Sequence, residues 1–190
     1  IRSSLKRAMD TKRDATGVVD AITAEDIGDF PDTNLAEALQ RITGVAIDRD
    51  RGEGARVTVR GFGADFNLVT LNGRQMPTHS GFGRSFDFGD IASESVSGVE
   101  VYKTAQASVP TGGIGATINV LTAKPLDNPG LRTSISAKGV KDQSSFTGDE
   151  WTPEVAFLVS QTFMDDTVGI SVTGSFQERQ SGQASASNGN

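Results

Sequence analysis

Along this chain the spacing of apolar residues switches repeatedly between a helical and a two-residue period, and the switches mark out the elements. Residues 18–22 read as a strand, and residues 23–26 (Thr-Ala-Glu-Asp) have the form of a capping box, opening a short helical turn that Pro31 closes. Leu35, Ala38, Leu39 and Ile42 then fall at helical spacing, with Asp32, Thr33 or Asn34 as N-cap and Gly44 as the C′ residue. A helix is therefore expected over 35–42, its apolar stripe packed on a sheet. Residues 45–47 continue as a strand and 48–54 as a charged turn. Val57 and Val59, alternating with Thr58 and Arg60, return as the second arm of a hairpin.

Leu68 to Leu71 is a further strand, running into Asn72-Gly73, a dipeptide that accepts the positive φ angles of a tight turn. Residues 74–90 follow without a repeating pattern; a loop of that length inside a domain is usually functional or mobile. Its phenylalanines either fold back into the core or stay outside it. A short helix fits 91–97, a strand 99–103, and the glycine-rich 110–115 turns the chain into another strand over 118–122. The stretch 56–125 thus sets short β runs between corners at Gly61, Gly63, Gly73, Gly112, Gly113 and Gly115, with no cluster of catalytic side chains. Glycine permits positive φ and close backbone approach, so the segment reads as a shaped obstacle or binding surface.

The character changes after the Pro-bearing linker 124–130. Leu131, Thr133, Ile135 and Ala137 alternate with polar neighbours, as do Val168, Ile170, Val172 and Phe176, and residues 154–163 form a third candidate strand. The last two are joined by a three-residue turn at 164–166, the first two by a longer loop at 139–153. Short turns at one end, long loops at the other and alternating strands of about ten residues are the signature of an outer-membrane barrel wall. A soluble antiparallel sheet needs the same alternation, so the pattern alone leaves both open. Three strands cannot close a barrel, and the Ser/Gly/Asn-rich 179–190 reads as a loop or tail, so the chain looks cut short.

Composition narrows the function classes. The formal net charge of −6 argues against a nucleic-acid footprint, which wants clustered Lys and Arg. Arg2, Lys6, Arg7, Lys12 and Arg13 make residues 1–15 a basic segment, most simply a solvated face of a helix or tail. Without cysteine there is no disulfide or thiolate site, and a lone histidine makes a zinc site improbable; no metal or cofactor is expected. Gly112, Gly113 and Gly115 suggest a phosphate loop, but no Gly-Lys-Ser/Thr follows and the next element is a strand, so that reading is rejected. Asp87 and Asp90 are two acids in one polar loop, with nothing to hold an acid and a base in distinct environments, so an enzyme is not expected.

Five pieces in order carry a family resemblance: residues 34–45 (Asn-Leu-Ala-Glu-Ala-Leu-Gln-Arg-Ile-Thr-Gly-Val), 59–63 (Val-Arg-Gly-Phe-Gly), 68–74 (Leu-Val-Thr-Leu-Asn-Gly-Arg), 97–103 (Ser-Gly-Val-Glu-Val-Tyr-Lys) and 107–122. The chain resembles the plug domain of TonB-dependent outer-membrane receptors followed by the first barrel strands. The wording of 87–90 and 102–105 looks most like a proteobacterial branch associated with carbohydrate uptake. The resemblance implies an α+β fold: a small mixed β-sheet plug with short helices over 16–127, then antiparallel strands over 131–178 that would begin a transmembrane β-barrel.

It also implies a gate in the lumen of that barrel, in the outer membrane, for energised uptake of a scarce nutrient, an oligosaccharide by the branch wording. A ferric-siderophore receptor plug, or a soluble extracytoplasmic binding or signalling module, is the alternative. The implied partners are the remainder of its own barrel, the extracellular nutrient, and the TonB-ExbB-ExbD complex acting through a motif upstream of Ile1. Arg60 and Glu100 match family positions that form a polar network between plug and barrel, where shielded charges must be paired. The chain departs from the commoner pattern at Lys103-Thr104 and at 109–111, which makes transfer of siderophore contacts unsafe. For ligand contact, His79, Phe82, Arg84 and Phe86 are the candidates, since an aromatic ring can stack on a sugar and Arg can hydrogen-bond its hydroxyls or a carboxylate.

Overall fold

The computed structural model describes residues 2–23, 34–50, 52–78, 81, 83–91, 93–141 and 151–178. The chain divides into two compact units, Ile1–Ala123 and Lys124–Asn190. The first begins with helix α1 (Arg2–Asp14) and strand β1 (Val19–Thr23), followed by helix α2 (Leu35–Leu39) and the hairpin strands β2 (Val45–Asp50) and β3 (Glu53–Val59). It continues with β4 (Asn67–Leu71), β5 (Arg74–Gln75), β6 (Val96–Tyr102) and β7 (Ala116–Thr122). Five of these strands form one sheet in the order β1-β6-β7-β4-β5, in which only the β4–β7 pair is parallel. The β2–β3 hairpin stands as a separate two-stranded ribbon.

Strand alternation divides the five-stranded sheet into two faces. Ile22, Val69, Val99, Val101, Ile118 and Val120 belong to one core cluster with Leu35, Ala36, Ala38 and Leu39 of α2 and with Val57 and Val59 of β3. Each large side chain buried here is worth about 1.5–3 kcal/mol relative to exposure. Helix α2 starts as expected: Asn34 accepts from Glu37 N, and its amide also donates to Gly54 O at 2.6 Å, tying the cap to the hairpin. The helix is shorter than the spacing predicts. After Leu39 the bonds tighten to Arg41 N→Ala38 O and Ile42 N→Leu39 O, so Ile42 is buried from a turn that leads to Gly44 at φ +76°.

Three local expectations are corrected. The charged turn expected at 48–54 is mostly ladder: β2 runs to Asp50 and β3 starts at Glu53, with a bulge between Asp48 and Arg49. Arg49 reaches from there to Glu37, Nη2 to Oε2 at 2.8 Å with a second contact from Nη1 to Oε1, so an ion pair ties the strand to α2 where the sequence predicts a charged turn. The helix expected at 91–97 reduces to a 3-10 turn at Ser93–Ser95, because β6 already begins at Val96, paired with Thr122. In 74–90, β5 takes the first two residues, while Phe86 and Phe88 meet edge to face at 5.3 Å and 83° within the core. The capping box at 23–26 and the turn closed by Pro31 lie outside the described residues, apart from Thr23.

The second unit holds β8 (Arg132–Lys141), β9 (Trp151–Phe163) and β10 (Val168–Gln177), antiparallel in the order β10-β9-β8. Strands β8 and β9 both run further than expected into the 139–153 loop. The 164–166 turn has positive φ at Met164, Asp165 and Asp166, and is held by Thr162 Oγ1 donating to Asp166 Oδ1 at 2.5 Å. Ile135, Val155, Phe157, Val159, Val172 and Phe176 are exposed, whereas Thr152, Glu154, Ser160 and Thr162 on the alternate positions of β9 are buried. This inverts the pattern of a water-soluble sheet.

Candidate functional site

One polar cluster of the first unit surrounds the connection between β6 and β7. Arg60 sits at φ 55°, a conformation costing an L-residue about 1–2 kcal/mol. Its guanidinium offsets that cost: Nε donates to Gly115 O at 3.0 Å, and Nη2 donates to Ile114 O and Gly115 O at 2.9 and 2.7 Å. The carbonyls it holds belong to a corner only glycine can make. A Cβ on Gly113 would stand 2.7 Å from Leu68 N and run into Ala116 O, while one on Gly115 would meet Asn67 Oδ1. Asn67 is buried and its Nδ2 donates to Val57 O at 2.9 Å, but its Oδ1 has no hydrogen-bond partner among the described residues. Beside the corner lies a cleft of about 210 Å³ bounded by Arg60, Tyr102, Lys103, Gln106, Pro110 and Gly113.

On the sheet face opposite the core, the register sets Glu100 against Asn119 and Asn119 against Thr70. Asn119 Oδ1 accepts from Thr70 Oγ1 and from Gly73 N, both at 2.8 Å, and Asn119 Nδ2 donates to Glu100 Oε2 at 3.1 Å. Tyr102 donates its hydroxyl to the same carboxylate oxygen at 2.8 Å. Burial, then the hydrogen bond and charge of Glu100, push the Tyr102 phenol up to about 12. The turn at Asn72-Gly73, with φ of 50° and 81°, is thereby stitched to the middle of the sheet.

A second cluster ties α1 and β1 down. Asp20 Oδ2 lies 2.5 Å from Lys103 Nζ, its Oδ1 lies 2.5 Å from Lys12 Nζ, and Lys103 also donates to Thr43 O at 2.5 Å. Burial alone would raise the Asp20 carboxyl; hydrogen bonds and attraction from Lys103 and Lys12 outweigh it and hold the group below its ordinary value. Lys12 is thus an ion-pair partner, where its sequence context suggested only a solvated face. A third cluster joins the loops: Asp65 Oδ1 accepts from Arg84 N and Ser85 N at 2.8 Å each, and Arg84 Nη2 donates to Gly112 O at 3.1 Å.

The sequence candidates separate accordingly. Arg60 and Glu100 each anchor a network, but not the same one: Arg60 holds the glycine corner and Glu100 the strand ladder. Arg84 is exposed at the loop junction, whereas Phe86 belongs to the core cluster, its ring committed to Phe88. His79 and Phe82 lie outside the described residues. Gly63 departs from the expected role, with φ −58° and room for a Cβ, which would make only an ordinary contact with the Phe66 ring at 3.9 Å. Sequence reasoning misses Asn119, Tyr102, Asp20 and Asp65; for the first three the available signal is a polar residue alternating within an apolar strand, whose partner depends on register, whereas Asp65 lies in the 3-10 turn Ala64–Phe66, where no periodicity marks it. Among the described residues no group of three or more His, Asp or Glu side chains converges on a metal-sized site.

Residues 11–117 match the family model described as TonB-dependent Receptor Plug Domain, and this chain belongs to that family. Membership of that receptor family places the chain in the outer membrane. It is 34% identical over 122 residues to the vitamin B12 transporter BtuB of Vibrio cholerae, covering 63% of this chain and 19% of that protein. It is 29% identical over 133 residues to the ferric enterobactin receptor PirA of Pseudomonas aeruginosa, covering 62% and 18%. Among solved structures, the siderophore receptor PirA of Acinetobacter baumannii superposes with a TM-score of 0.69 at 22% identity, covering 88% of this chain and 25% of that one, a likeness of fold. The chain spans about a fifth of the length of the curated relatives it matches.

Proposed function

We propose that this chain is the gate of an outer-membrane receptor for a scarce extracellular nutrient, the plug of a barrel whose wall β8, β9 and β10 begin, with no covalent chemistry of its own. The observation carrying this reading is the order of the two units: a plug-family match over 11–117, then a sheet whose apolar face is bare. A bare apolar face suits lipid, and a glycine corner clamped by one arginine suits a piece that moves as a body. The TonB-ExbB-ExbD complex would supply the force, and Arg60 and Glu100 would carry their networks on to groups of the barrel wall.

For the cargo, the branch wording favours an oligosaccharide. A metal chelate or corrinoid is the second reading, favoured by the names of the relatives and by the burial of Phe86, which removes one of the rings offered for sugar stacking. The test is ligand protection of residues 74–90 from proteolysis in the intact receptor, alongside energised uptake by cells carrying it. Protection by oligosaccharide and not by ferric chelate supports the sugar; the reverse supports the chelate. Loss of neither ligand's uptake on deleting the receptor would end the transport reading.

A further inference from the structure

We infer that Asn72 is a site of spontaneous covalent modification, an asparagine that converts through a cyclic imide to aspartate or isoaspartate at a rate set by how often the β4–β5 corner comes away from β7. The inference goes beyond the gate reading and holds whatever the cargo. The residue types supply the chemistry: an asparagine amide carbon is open to attack by the backbone nitrogen that follows it, and glycine in that following place has no side chain to hinder the approach. Asn72-Gly73 is one of two such pairs in the chain; the other, at 188–189, lies outside the described residues. Both residues of the corner are exposed, so water reaches them. Apart from chain neighbours, no atom stands within 4 Å of where a Cβ on Gly73 would lie, so crowding does not guard the site.

Hydrogen bonds guard it instead. The attacking atom, Gly73 N, donates to Asn119 Oδ1 at 2.8 Å, and an N–H given to a carbonyl oxygen keeps its proton and is not free to turn toward the amide carbon. On the Asn72 side chain, Oδ1 accepts from Thr122 N at 3.1 Å and Nδ2 donates to Thr122 Oγ1 at 2.9 Å. Thr122 N can only donate, which fixes the orientation of the amide. Asn72 N itself donates to Val120 O at 2.8 Å. Attacking nitrogen and leaving amide are thus both held by β7, and ring closure requires these bonds to open first. In the step itself Gly73 N gives its proton to water and bonds to Asn72 Cγ, the Cγ–Nδ2 bond breaks, and the amide nitrogen leaves as ammonia after taking a proton from water. Water then opens the imide at either carbonyl. One way leaves aspartate; the other leaves isoaspartate, whose main chain runs through the side-chain carbon. No oxidant or reductant is needed. The added main-chain carbon moves Gly73 N off Asn119 and loosens the pairing of Arg74 with Leu71.

The test is peptide mapping by mass spectrometry of the intact receptor, aged in detergent micelles at neutral pH, with isoaspartate read by a carboxyl methyltransferase specific for it. A synthetic peptide of residues 68–78 supplies the rate of the unfolded chain. Conversion at Asn72 is expected to be about 100-fold slower in the receptor than in the peptide, because a site reached only through local opening reacts in proportion to its open fraction. Thr122→Val removes the acceptor of Asn72 Nδ2 and should speed conversion in the receptor by about 5-fold; Asn119→Ala removes the acceptor of Gly73 N and should speed it by about 5-fold or more. Unchanged thermal midpoints separate local opening from global unfolding, and Thr122→Val keeps the test decisive if Asn119→Ala does not fold. Receptor enriched in isoaspartate should be cut by trypsin after Arg74 about 5-fold faster than fresh receptor. Equal rates in receptor and peptide, no conversion in the peptide, or a wild-type rate in both folded variants overturns the inference.

Discussion

Tyr102 and Glu100 stand two residues apart on the same face of β6, and the tyrosine hydroxyl donates to Glu100 Oε2 at 2.8 Å. Tyr102 is the chain's single tyrosine, so its ionisation can be read without assignment. Ultraviolet titration of phenolate formation should give a midpoint near 12, above the ordinary value of about 10. The raised value means that this contribution to stability is fully present below about pH 10 and is lost as pH rises through the folded value. Glu100→Gln removes the charge and should bring the midpoint down, without reaching the free value because burial persists. A wild-type midpoint at about 10 would show that the ladder does not form.

Asp20 gives the opposite sign. Its lowered carboxyl stabilises the first unit above the ordinary aspartate value of about 3.9, and that stability disappears as pH falls through the folded value. Asp20→Asn should cost about 1–2 kcal/mol at pH 7, with the gap to wild type closing as both are taken below about pH 4. Urea unfolding at several pH values is the measurement. A gap that stayed constant with pH would mean that the cost comes from packing and not from the two lysines.

The glycine corner should be far less tolerant than an exposed glycine. Gly113→Ala drives a methyl into backbone atoms of Leu68 and Ala116 and should cost more than about 3 kcal/mol or prevent folding. Gly44→Ala, at positive φ with open space around it, should cost about 1–2 kcal/mol. Equal destabilisation in the two variants, by chemical denaturation, would contradict the close approach.

Arg60→Lys keeps the charge and loses the fork that spans two carbonyls. A loss of about 1–2 kcal/mol is expected, with faster protease cleavage within residues 110–115. Unchanged cleavage would show that the corner holds itself.

Much of the fold was legible because it rests on local rules. Asn34, the α2 stripe, the Asn72-Gly73 turn and the alternation of β8 and β10 follow from capping, periodicity and turn chemistry, which act within a few residues. The errors fall where a distant partner overrode the local reading. Asp48, Arg49 and Asp50 look like a turn, but they are strand because β3 pairs with them and Glu37 takes the arginine. Residues 91–97 look helical, but Val96 is drawn into β6 by Thr122. The candidate site follows the same division: Arg60 is visible through its motif, whereas Asp65 is an ordinary acid of a 3-10 turn until Arg84 and Ser85 are folded against it.

By itself, then, the order of residues determined which segments are strand, helix or corner, and which faces are apolar, since those depend on spacing along the chain. Only the tertiary structure decided who meets whom: that Asn119 bridges Thr70 to Glu100, that Lys103 reaches Asp20, and that Phe86 turns inward while Phe62 and Phe66 stay out. The reason is physical. Hydrogen bonds and burial act at contact distance, and contacts between residues tens of positions apart are set by strand register and packing, which periodicity alone does not encode.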